Sequence, residues 1–108
     1  ENEVNIMDNI FLTLTTIDAQ GNRRPEMNGF SRYIGKSGGI LIRAYGEADS
    51  EKQQQLKHRF PDIDKIWKMC SRNIKQGFCR VVCGAYLLGM TADQIEEMCK
   101  THNIWVDE

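Results

Sequence analysis

Ile63, Ile66, Trp67, Cys70, Ile74, Phe78, Val81, Val82, Ala85 and Leu88 recur mostly at spacings of three and four, the period of one helix face. A chain with such a stripe has to build a helical layer and bury that face. Gly77 interrupts the pattern, so the spacing predicts two helices, or one kinked helix, over residues 62–89, opened by Asp62 as N-cap after Phe60-Pro61. Residues 78–88 have polar relief only at Arg80 and Tyr86, which predicts the buried central helix, and Gly89 is placed to stop it. Thr91 and Gln94 form a capping box for a last helix, with Ile95, Met98 and Cys99 inward, Glu96, Glu97 and Lys100 outward, and Asp93 in the positive first turn. Ser50 and Gln53 suggest a second capping box, opening a marginal helix whose apolar anchor is Leu56.

The N-terminal part follows a different period. Residues 10–17 are rich in β-branched side chains, and their alternation predicts a strand with Ile10, Leu12 and Leu14 on one face. Residues 18–22 (Asp-Ala-Gln-Gly-Asn) carry turn chemistry. A second short strand is expected over residues 29–34, then a glycine-rich turn over 35–39, then a third strand over 40–45 with Ile40, Ile42 and Ala44 facing inward. The expected fold class is therefore α+β, a small N-terminal antiparallel β-sheet (hairpin or meander) covered by a C-terminal cluster of three to four α-helices. Residues 1–108 read as a single domain, with 1–46 mainly β and 47–108 mainly α. The start at Glu1 and the abrupt end at residues 105–108 suggest excision from a longer protein.

Charge is unevenly placed. The formal net charge is only −1, yet residues 52–80 hold eight basic side chains against the two carboxylates of Asp62 and Asp64. Lys65, Lys68, Arg72 and Lys75 advance by three, four and three, so a continuous helix would align them on one stripe. With Lys57, Arg59 and Arg80 at its edge, this band is the candidate binding face for phosphates or an acidic partner. Within the core from Lys65 to Lys75 no aromatic residue interleaves with the basic ones except Trp67 on the opposite side, which favours backbone contact over base stacking.

Catalytic and metal chemistry find little support. Gly35-Lys36-Ser37 lacks the glycine five positions upstream that a phosphate-binding loop requires, Gly29 standing six away. Glu96 and Glu97 are adjacent on a helix and diverge by about 100°, so they do not form an acid/base pair. His58 and His102 have no nucleophile in an activating setting, and His102 reads as a cation at a helix C-terminus. Cys79, Cys83, Cys99 and His102 are a weak candidate for a tetrahedral zinc site, since i, i+4 and i, i+3 pairs put donors on common faces. Buried free thiols are the simpler expectation, in a reduced and hence intracellular setting, cytoplasm or nucleus. No cofactor and no catalytic residue is expected.

Residues 12–30 resemble the first hairpin of flavin-binding split barrels, but the helical second half lacks the further strands of such a barrel. Residues 83–104, with Leu87-Leu88-Gly89-Met90-Thr91-Ala92-Asp93-Gln94-Ile95, resemble the approach to a helix-turn-helix, and the chain stops where a recognition helix would begin. Neither assigns a family. The expected function is a non-enzymatic interaction module acting with a nucleic acid or nucleoprotein through the basic face. The alternative is a homo-oligomerisation module whose acidic segments, residues 1–51 and 91–108, dock on that band. A metal-dependent enzyme fragment ranks third. No membrane span is expected, since no apolar run approaches ~20 residues.

Overall fold

The structure is a computed structural model that describes residues 3–106, with side-chain surroundings from Ile6 onward. The chain runs α1 (Glu3–Leu14), β1 (Thr15–Ile17), β2 (Arg23–Pro25), α2 (Gly29–Glu47), α3 (Ser50–Arg59), α4 (Ile63–Lys68), a π-helical turn (Met69–Asn73), α5 (Cys79–Leu87) and α6 (Ala92–Thr101). Strands β1 and β2 pair antiparallel, with Thr15 opposite Pro25 and Ile17 opposite Arg23. The fold class is thus α+β, an N-terminal hairpin with a cluster of helices around it.

The sheet is smaller than expected and the helical share larger. Residues 10–14 continue α1, and only Thr15–Ile17 is strand. Met7, Ile10, Phe11 and Leu14 also fit a period of three and four, and that face packs against the core while Leu12 stays 50% exposed. At the helix end Thr13 and Thr15 donate their hydroxyls to the carbonyls of Asn9 and Phe11, which reconciles β-branched residues with helical backbone.

The strands expected at residues 29–34 and 40–45, and the turn between them, are all one helix, α2. The region 1–46 is therefore not mainly β. The physical reason is one buried helical stripe, small in its first half and large in its second: Ser31, Gly35 and Gly38, then Ile42 and Tyr45, are buried at spacings of four and three. A Cβ built on Gly38 would lie 2.3 Å from the carbonyl oxygen of Cys83, and one on Gly35 2.8 Å from Arg80 Cγ. The glycines serve close backbone approach of α2 to α5, where tertiary packing overrides their poor helix propensity. Ile40, expected inside, is 60% exposed on the far side.

The second half follows the apolar stripe. The predicted break over residues 62–89 is present as α4, the π turn, an extended Ile74 and then α5. Val81 to Ala85 are all buried, so α5 is the central helix, and Gly89 adopts φ +101° after it. The Thr91–Gln94 capping box forms with both bonds in place, 2.9 and 3.2 Å. Two caps differ from expectation. Asp49, not Ser50, caps α3 by accepting from the Lys52 amide at 2.9 Å. Asp62 stands at the start of α4 without capping it; its carboxylate instead accepts from Tyr86 Oη at 2.6 Å and the Ala92 amide at 2.7 Å, tying α4 to α5 and α6.

Candidate functional site

The proposed basic stripe is not one face. A break in helical backbone between Lys68 and Lys75 ends the common register, because the π turn and extended Ile74 rotate everything that follows. Lys65 Nζ is held at 2.6 Å from Asp93 and 3.1 Å from Glu96 on α6, which raises its pKa through those two hydrogen bonds. Lys68 Nζ sits 2.9 Å from Asp64, whose other oxygen accepts from Tyr45 Oη at 2.6 Å. The Tyr45 bond and then the Lys68 bond hold Asp64 below the ordinary carboxylate range, and burial first, then the Asp64 bond, raises Tyr45 to about 12. Two of the four central cations are therefore already neutralised within the chain.

The remaining band residues are dispersed. Arg59 lies over the Phe60 ring at 5.8 Å, and Lys57 contributes only a distant charge to Asp64. Arg72 is exposed on the π turn. Lys75 borders a recess with Arg23, Arg24, Phe78 and His102. The acidic segment of residues 91–108 does meet the band, through Asp93 and Glu96, but inside one chain; Asp107 and Glu108 lie outside the described residues.

Arg80 has different company. It projects from the first turn of α5 into a groove of about 480 Å³ shared with Arg32, Lys36 and Arg43 of α2. Positions 32, 36 and 43 advance by four and seven, so α2 presents them on one face. Gly35 has no side chain where the Arg80 stem crosses, which admits that stem against α2. Among the described residues no acidic side chain lines the groove, and none lies within ion-pair distance of these four cations. Reading α2 as two strands and a turn hid this set, although the Arg32, Lys36, Arg43 spacing was the available signal.

The groove wall also carries Cys79 and Cys83. Their sulfurs are 3.8 Å apart, and Cys70 Sγ, from the π turn, lies 3.7 Å from Cys83 Sγ. All three sulfurs fall within 4.8 Å of one another. Within this trio the proton is held least firmly at Cys79, whose pKa is lowered by its contacts with Cys70 and then Cys83, against the opposing effect of burial. Cys70 is raised, by its contacts with Cys79 and Cys83 and then by burial. For Cys83 the bond to Cys70 pulls down, but the Cys79 contact and burial outweigh it and push the thiol up to about 12.

The other two members of the sequence-derived quartet are elsewhere. Cys99 is fully buried and is not part of the sulfur cluster; burial, then the Glu96 charge, raises it to about 12. His102 stacks on Phe11 at 3.8 Å and places Nε2 3.3 Å from Asp8 Oδ1. Cys79 and Cys83 thus share a site with Cys70, not with Cys99 and His102.

No helix among the described residues is long and apolar enough to cross a membrane. Comparison with protein-family models, with curated proteins and with solved structures finds no match for this chain.

Proposed function

We propose that this chain is a non-enzymatic interaction module that binds the phosphate backbone of a nucleic acid, free or in a nucleoprotein, through the groove between α2 and α5. The observation that carries this reading is the convergence of Arg32, Lys36, Arg43 and Arg80 around one groove without a lining carboxylate among the described residues. Like charges gathered from two helices repel one another unless an anion faces them, and desolvation of a partly concave site strengthens their field. Three of the four are arginines, whose planar forks suit phosphate. The band of Lys65 and Lys68 supports binding less, because its charge is spent on Asp93, Glu96 and Asp64.

Anisotropy of a labelled single-stranded and a labelled double-stranded oligonucleotide, measured across a salt series, tests this. Four neutralised phosphates give a slope of log K on log salt of about −4 for duplex and about −3 for single strand. Arg32→Glu with Arg43→Glu abolishes binding, while Lys68→Glu leaves it in place. Binding that is independent of salt, or that survives the double reversal, refutes the proposal.

A further inference from the structure

Three thiols from two separate elements converge on one point, although hydrophobic packing of cysteine requires no mutual sulfur contact. Cys70 comes from the π turn, Cys79 and Cys83 from successive turns of α5. The sulfur separations of 3.7 and 3.8 Å match an edge of a zinc–thiolate tetrahedron, which at a Zn–S bond of about 2.3 Å is about 3.8 Å long. The third pair lies within 4.8 Å, so closing it to that edge requires a shift of about 1 Å at most. π turns inserted in helices are frequent at functional sites because they redirect a side chain that regular helix would point elsewhere; here the redirected residue is Cys70.

We propose that Cys70, Cys79 and Cys83 bind one zinc(II) ion as three thiolates, with the fourth position left to water or another exogenous donor entering by the groove. Soft sulfur donors select zinc over magnesium or calcium, and an iron–sulfur cluster would ask for a fourth thiolate that Cys99 does not bring. Binding replaces each remaining thiol proton by a metal–sulfur bond, and the protons leave to solvent. Three thiolates around a dication leave a single negative charge, which the cations lining the groove beside Cys79 and Cys83 offset. Cys79 and Cys83 line the groove proposed for phosphate, but the ligands are the sulfurs, so metal binding stands or falls without a nucleic acid.

Cobalt(II), then zinc(II), is titrated into the metal-stripped protein under a phosphine reductant, with a chromophoric chelator competing for zinc. The expected result is one equivalent of cobalt with sulfur-to-metal charge transfer and tetrahedral visible bands, displaced by zinc with release of protons. Cys70→Ser and Cys79→Ser each weaken zinc binding beyond the roughly 10–100-fold that losing a supporting group costs, while Cys99→Ser binds as the parent does. A measurement on the parent protein guards against misfolded variants: zinc protects Cys70 and Cys79 from alkylation, read by peptide mass. Absence of one-to-one cobalt or zinc binding, binding of copper(I) only, equal affinity in Cys70→Ser, or unprotected Cys70 and Cys79 overturns the proposal.

Discussion

Replacing Gly38 with alanine tests the contact on which the fold turns. The new methyl would lie 2.3 Å from the Cys83 carbonyl oxygen, 2.6 Å from its carbonyl carbon and 3.0 Å from its Cβ. An ordinary contact begins at 3.4 Å, and the two nearest obstructing atoms are backbone, which cannot rotate aside. The helices α2 and α5 must therefore part by about 1 Å, a gap that forfeits a quarter to a half of the dispersion energy of each atom pair it opens. Overpacking of this kind costs about 1–3 kcal/mol, at the upper end where backbone is in the way. Alanine returns about 1 kcal/mol of helix propensity. The net expectation is a loss of about 2 kcal/mol, equivalent to a fall in Tm on the order of 10 °C for a domain of this size. Gly39→Ala is the matched control: nothing lies within 4 Å of its Cβ, so it keeps the propensity gain and raises stability by about 0.5–1 kcal/mol. Urea and thermal melts followed by circular dichroism measure both. If Gly38→Ala is as stable as Gly39→Ala, the close approach of α2 to α5 is wrong.

Asp62→Ala removes the acceptor shared by Tyr86 and the Ala92 amide, and two orphaned donors, one of them at the α6 terminus, cost about 2–4 kcal/mol; a urea midpoint within error of the parent would contradict this. Burial pushes the Asp62 pKa up, but the Tyr86 and Ala92 bonds outweigh it and the net shift is downward. A depressed native pKa means that this contribution is present above the unfolded value of about 3.9 and is lost as pH falls through the native one. Acid melts of Asp62→Asn should accordingly show a flatter loss of stability below about pH 4 than the parent, and parallel curves would count against the argument. Lys65→Ala gives up an exposed ion-pair network and lowers stability by no more than about 1 kcal/mol, with a larger loss pointing to burial that the structure lacks. Lys36→Ala reduces the salt slope of oligonucleotide binding by about one unit with an unchanged melting curve; an unaltered slope would remove Lys36 from the contact.

The C-terminal half could be read from its residues because its determinants are local. Apolar spacing from Ile63 to Leu88, the break around Gly77, the stop at Gly89 and the Thr91–Gln94 box each act within a few residues, and each is present. The α+β class and the hairpin turn after β1 were likewise readable. At that turn the Asp18 carboxylate accepts from the Gln20 and Asn22 amides, both at 2.9 Å.

Tertiary structure decided the rest. Residues 29–47 combine five glycines with β-branched residues, a composition that local propensity assigns to strand and turn. They become helix because α5 packs where those side chains are missing, and the partner surface, Arg80 for Gly35 and Cys83 for Gly38, lies far away in sequence. The same non-local contact relocates the candidate site. Which cations stay unpaired depends on whether α6 delivers carboxylates to them, as it does to Lys65 and not to Arg80. Which cysteines meet depends on a π turn that aims Cys70 at α5. Sequence alone set the periods, caps and stops along the chain; the pairing of charges and sulfurs across elements follows from how closely the two helix backbones approach.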